Sequence, residues 1–203
     1  MVVKITAKEG LKPKGLKVIS DQQIEYHFET HYKGYVNKIN EIWEKQQTVD
    51  RSKANQNYSD YRALKVEESF NWMGVVLHEL YFENIKGGQG TQPGTRIIQL
   101  MNEAFGSFDK WKEDFKACGT ALRGWAVLVY DLSSKRLMNN GLDAHNAYGF
   151  LNAIPLLVLD VYEHAYYTDQ GPKRGPYIDA FFENVNWSIV NNRLDTSLKI
   201  ASR

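Results

Sequence analysis

Asp160-Val161-Tyr162-Glu163-His164-Ala165-Tyr166-Tyr167 follows directly on the apolar run Ile154-Pro155-Leu156-Leu157-Val158-Leu159. A short run of that character reads as a buried strand, so its end presents a carboxylate and, shortly after it, an imidazole. A hard anionic oxygen beside a neutral nitrogen donor suits a divalent or trivalent transition metal, provided further imidazoles arrive from elsewhere in the chain. His27 and His78 lie in two segments of helical periodicity, and each can bring one imidazole to a centre shared with Asp160 and His164. Three nitrogens and one oxygen leave room for a solvent and an incoming small molecule, as a catalytic metal site requires and a closed structural site does not.

Around that stretch the chain divides into two characters. After a Gly/Pro/Lys-bearing arm (residues 1–19), Ser20 and Gln23 form a capping box, and Ile24, His27, Phe28, His31, Tyr35, Ile39 and Ile42 recur at helical spacing, placing His27, His31 and Tyr35 on one face. A polar joint (48–60) leads to a second helix carrying Leu64, Phe70, Met73, Leu77, His78 and Tyr81, which stops at Gly87-Gly88. Two shorter helices follow, the second capped by Ser107. Then come three strand-like runs, GWAVLVYD (124–131), RLMNNGLDA (136–144) and IPLLVLD (154–160), and PYIDAFFENVNWSIVNNRLD closes the chain as a helix. The fold class expected is α+β: an N-terminal long α-helical hairpin domain (1–90), then a C-terminal domain (91–203) with a small three-stranded antiparallel sheet and helices, the metal at their junction.

Composition narrows the function classes. The chain has 203 residues, 43% of them hydrophobic and 13% aromatic, enough for a folded core. A formal charge of +1 provides no field for a polyanion or an anionic membrane, so neither nucleic acid nor membrane is expected as a partner. The single cysteine, Cys118, has no internal partner and reads as a core packer; the Lys-rich start lacks the apolar core of a secretion signal, which makes a cytoplasmic location the expectation. Zinc hydrolysis fits poorly, since no acid/base carboxylate other than Glu163 stands beside the candidate ligands.

The Asp-x-x-Glu-His-Ala-Tyr-Tyr stretch resembles the signature of the iron/manganese superoxide dismutases, with Tyr162 where that family carries tryptophan. Further matching segments are IEYHFETHYKGYV (24–36), LHELYFENI (77–85), AFGSFDKWKEDF (104–115), RGWAVLV (123–129) and VNWSIVNNRL (185–194), in the family's order and approximate spacing. The resemblance therefore runs from about Ile24 to Leu194.

It implies dismutation of superoxide to dioxygen and hydrogen peroxide at a mononuclear centre with His27, His78, Asp160 and His164 as ligands. Iron is the preferred metal, with manganese an alternative, because both fit the same shell of three nitrogens and one oxygen. Most members hold a glutamine against the metal-bound solvent. Here the corresponding helical position is Gly74, and the sheet position is best matched by His145, as in a less common branch of the family. Tyr35 and His31 match the gateway pair, and Arg174 matches the arginine that draws anions into the access funnel. Glu163 and Tyr167 match residues that reach a two-fold related subunit, implying a homodimer; one chain does not decide whether dimers pair further. Phe82 and Val127, like Tyr162, stand where tryptophan is common, which thins the aromatic wall. That thinning motivates the alternative of a metal-binding homologue with weak or no catalysis and a structural or storage role.

Overall fold

A computed structural model describes residues 4–88 and 90–202. Met1–Val3 of the expected arm, Gln89 of the Gly-Gly-Gln-Gly loop and Arg203 lie outside the described residues. The first long helix runs in three parts: α1 (Asp21–Tyr26), a π-helical segment His27–Tyr32, and α2 (Lys33–Lys45). A joint with a 3₁₀ turn at Arg51–Lys53 leads to α3 (Asp60–Glu83), whose N-cap Ser59 accepts from the Arg62 amide. Pairings between the two helices move in opposite directions: Trp43 meets Trp72, Tyr35 meets His78, and Phe28 meets Phe82. The expected antiparallel hairpin is therefore present, closed by buried Phe28, Val36, Ile39, Val75, Leu77 and Phe82.

Periodicity gave no warning of the π-helical turn. One residue beyond the α-helical count in a turn leaves an apolar pattern readable, yet it rotates everything after it, and such turns are common at functional sites. The capping box is only half made. Ser20 Oγ accepts from the Gln23 amide at 3.0 Å, but the Ser20 amide donates to Asp169 Oδ2 at 2.7 Å, and the Gln23 side chain turns away.

Helices α4 (Thr95–Phe105) and α5 (Phe108–Ala121) precede strands β1 (Trp125–Asp131), β2 (Arg136–Leu142) and β3 (Ala153–Asp160). The strands form one antiparallel sheet in the order β2-β1-β3. Pro155 is tolerated because β3 is an edge strand and the β1–β3 register shifts at Leu128/Val129, next to it. At the other end of β3 the register sets Asp160 opposite Trp125. After a 3₁₀ turn (Glu163–Ala165) come α6 (Tyr167–Gln170), α7 (Arg174–Glu183) and α8 (Trp187–Ala201).

The single closing helix expected from the sequence is thus two. Val185 bridges to Ile85, and the Asn184 side chain exchanges hydrogen bonds with both the amide and the carbonyl of Lys17, which pulls residues 184–186 out of helical geometry. No glycine or proline marks the break, so only tertiary partners explain it.

Two polar side chains, the buried Asn84 and the partly buried Arg193, lock the hairpin to the sheet. The Asn84 amide donates to the Val158 carbonyl at 3.1 Å and accepts from the Val158 amide at 2.7 Å, splicing the end of α3 into β3. Arg193 of α8 donates to the carbonyls of Leu156 and Leu80 and to Glu83. His78 on α3 and Asp160 at the tip of β3 are thereby held in fixed relation.

Candidate metal centre

His27, His78, Asp160 and His164 come together from the π-helical turn, α3, the end of β3 and the 3₁₀ turn after it; one ligand atom of each lies within 4.8 Å of all the others. The Nε2 atoms of His27, His164 and His78 stand 3.1, 3.1 and 3.5 Å from a single oxygen, Asp160 Oδ2. His27, His78 and Asp160 are fully buried, and the His164 side chain keeps 13% of its exposure. Asp160 Oδ1 accepts from the Tyr162 amide at 2.9 Å, which leaves Oδ2 for the centre.

Proton placement shows what the cluster suits. A carbonyl oxygen only accepts, so the 2.6 Å contact between His78 Nδ1 and the Gly74 carbonyl puts the His78 proton on Nδ1. His78 Nε2 then offers a bare lone pair, buried without a hydrogen-bond partner, toward a carboxylate oxygen. Two electron-rich atoms facing each other in a dry pocket are unfavourable unless a cation lies between them. Burial holds the His27 and His78 imidazoles below their ordinary range, keeping them neutral and able to donate lone pairs. For Asp160 burial pulls upward, but the neighbouring His164 and His27 outweigh it and keep the carboxyl well below its usual value. Neutral imidazoles with one anionic oxygen fit a hard-to-borderline transition metal.

The His164 ring stacks with His31 at 4.2 Å and with Tyr162 at 5.2 Å between centroids. Phe82 packs edge-on against His27 at 5.0 Å, whereas Val127 is buried in β1. Tyr162 and Phe82, standing where the resemblance sets tryptophan, thus still set an aromatic ring against two of the three ligand imidazoles, His164 and His27.

Tyr35 and His145 form a directed chain. The Trp125 indole only donates, so its 2.9 Å bond to His145 Nδ1 makes that nitrogen an acceptor. Burial lowers His145 to about 4, so it is neutral near pH 7 and its one proton sits on Nε2, donated at 2.8 Å to the Tyr35 hydroxyl oxygen. The Tyr35 hydroxyl hydrogen is therefore free to point elsewhere, and burial raises this phenol so that it stays protonated. The Tyr35 ring lies 5.2 Å from that of His78. Trp125 was not assigned this task from sequence, because the contact depends on sheet register and a loop twenty positions away.

Gly74 contributes by what it lacks. A Cβ there would lie 2.9 Å from Tyr35 Cγ and 3.0 Å from Cδ1. A side chain at position 74 and the Tyr35 ring exclude one another, and the group that hydrogen-bonds Tyr35 comes instead from the loop between β2 and β3, where His145 stands. Gly74→Ala is expected to displace the Tyr35 ring and cost about 1–3 kcal/mol, read as a lower urea midpoint. An unchanged midpoint with an unchanged Tyr35–His145 contact would contradict this packing argument.

Arg174 is already engaged. Its guanidinium donates to the carbonyls of Leu122 (2.6 Å) and Gly119 (3.2 Å) and faces the Tyr166 hydroxyl at 3.4 Å, tying α7 to the end of α5. Glu163 and Tyr167 are exposed, Tyr167 by 52%, on the segment that presents His164. A surface cavity of about 410 Å³ lined by Phe108, Lys112, Phe182 and Trp187 shares no residue with this centre.

An α-hairpin and a small antiparallel sheet closing on three imidazoles and one carboxylate define a mononuclear metalloprotein. Residues 8–86 match the α-hairpin domain of the iron/manganese superoxide dismutases, and residues 93–193 match the C-terminal domain of the same proteins. The chain belongs to that family. It is 55% identical to an iron superoxide dismutase of Aquifex aeolicus over 201 residues, covering 98% of this chain and 94% of the relative. An iron superoxide dismutase of Aquifex pyrophilus shows the same identity and coverage. A manganese superoxide dismutase of Haloarcula marismortui is 38% identical over 89% of this chain and 87% of its own length.

Proposed function

We propose that this protein is a superoxide dismutase working at an iron centre held by His27, His78, Asp160 and His164, with manganese able to occupy the same site. The observation that carries the reading is the buried, partnerless His78 Nε2 facing Asp160 Oδ2 among three converging imidazoles. The preference for iron is supported by the 55% identical iron enzymes, against 38% for the manganese one. The chemistry that iron supplies when bound is reversible one-electron exchange, so that one superoxide leaves as dioxygen and a second, with two protons, as hydrogen peroxide.

The chain's own residues supply charge balance, position and protons. Asp160 brings one negative charge and the imidazoles none, which keeps the centre's net charge low in both oxidation states. His31 and Tyr162 stack against the His164 ring, and burial removes competing water from His27 and His78. Tyr35 holds a proton on its hydroxyl oxygen, backed by the His145 Nε2–H, and can deliver it to a small anion entering past His31. Arg174 adds positive charge near the end of α5, although its hydrogen bonds make it first a positioning contact.

The exposed Glu163 and Tyr167 flank the partly exposed His164, which supports a homodimer built across that face, with Glu163 reaching the partner's ligand loop. Whether such dimers pair further is a matter for sedimentation. A division into two domains near residue 90 is supported by the family matches on either side. No helix among the described residues is long and apolar enough to cross a membrane, and a cytoplasmic location with no nucleic-acid partner is our reading of composition. Chelation is expected to abolish superoxide consumption and ferrous iron to restore it. Equal activity in metal-free and iron-loaded samples would contradict the reading.

Titration follows from the same geometry. Burial holds His31 and His145 down to about 4 and keeps His27 and His78 low as well. The unfolded chain takes up these protons from about pH 6.5 downward while the folded chain does not, so folding stability is full above that pH and falls as pH drops toward 4. Unfolding of the metal-free protein is expected at lower urea at pH 5 than at pH 7.5; equal midpoints would contradict neutral, buried imidazoles.

A further inference from the structure

Gln23 does no work in the site as described, yet it is 1% exposed and both ends of its amide are used. Its Nε2 donates to the backbone carbonyl of His164 at 2.6 Å, and its Oε1 accepts from the Thr168 amide at 3.0 Å. One turn before it, Ser20 grips the same segment through Asp169, by its amide at 2.7 Å and its hydroxyl at 2.6 Å. One turn after it stands His27. The His164 backbone sits in a three-residue 3₁₀ turn, an element with poor hydrogen-bond geometry and little intrinsic stability.

We propose that Gln23 is a positioning residue that clamps the 164–168 segment to the first helix and so fixes the distance between the His27 and His164 imidazoles. A single side chain then couples two ligands that arrive from opposite ends of the sequence. A leucine or methionine at position 23 would fill the space and keep the hydrophobic core, but the His164 carbonyl and the Thr168 amide would lose their partners and the turn its orientation. Partners that orient metal-ligating groups typically matter by 10–100-fold in metal affinity.

The inference rests on the metal reading, and the test separates the two. Cobalt(II) is loaded into the parent, Gln23→Met and Gln23→Glu proteins, and its dissociation rate and visible absorption spectrum are recorded, with amide hydrogen exchange at residues 164–168 measured on the metal-free proteins. Expected for Gln23→Met are cobalt release about tenfold faster, an altered spectrum, and faster exchange at Thr168. Gln23→Glu keeps an acceptor for the Thr168 amide and loses the donor to His164, so it falls between parent and Gln23→Met. A parent that takes up no cobalt contradicts the metal reading alone, and exchange at Thr168 then decides the clamp. A Gln23→Met protein with parental exchange, or with parental cobalt release and spectrum in a loaded site, overturns it.

Discussion

Asp160→Ala is expected to leave a folded protein that retains no metal through gel filtration and consumes superoxide no faster than buffer. Asp160 is the only anion in the cluster, and its Oδ2 is the point on which three Nε2 atoms converge. Removing it takes away the charge that balances the ion and the atom that anchors the geometry. Loss of a supporting hydrogen bond typically costs about 10–100-fold in metal affinity, so loss of a ligand should exceed that range. The fold should survive, because β3 is held by Asn84 and Arg193 at Val158 and Leu156 rather than by the carboxylate. Stoichiometric metal in the variant would show that Asp160 is not a ligand.

His145→Gln should behave differently, keeping metal while changing which metal works. A glutamine can accept from the Trp125 indole and donate to Tyr35, so the chain of hydrogen bonds can be rebuilt. It lacks the imidazole's fixed single proton and its reach, however, and the proton offered to Tyr35 changes position. Hydrogen bonding around a metal's solvent and ligands tunes its potential, so the ratio of iron-supported to manganese-supported activity is expected to move by about tenfold at unchanged metal content. Steady-state assays on matched iron- and manganese-loaded samples measure it. Identical, negligible responses in both forms would reduce His145 to a packing residue.

What sequence could show of this centre follows from how each residue is held. Asp160 and His164 were legible because an apolar strand ends at them, and His27 and His78 because helical periodicity places them on buried faces. The sheet was legible for the same reason, its three runs being apolar and separated by turn residues. The rest depends on partners far along the chain. The Ser20–Gln23 spacing satisfies a local capping rule, but Asp169 and the His164 carbonyl are better partners and win. The closing helix breaks at Asn184–Asn186 because Lys86 and Asn84, either side of the Ile85–Val185 bridge, take up its backbone while Lys17 holds the Asn184 side chain. Arg174, matched by resemblance to the funnel arginine, also bonds the carbonyls at the end of α5, a contact that depends on how α7 packs there. Trp125 becomes a tautomer-setting donor only once β1 lies beside β3 and the 143–152 loop folds over it. The π-helical turn was invisible because one added residue barely disturbs an apolar pattern.

The most direct measurement is superoxide dismutation by apo-protein reconstituted separately with iron and with manganese, with metal content determined on each sample. Rapid, metal-stoichiometric turnover in the iron form, equal to or above that of the manganese form, is the result expected here. Full loading with both metals and turnover with neither would contradict it, leaving a binding site without the catalysis.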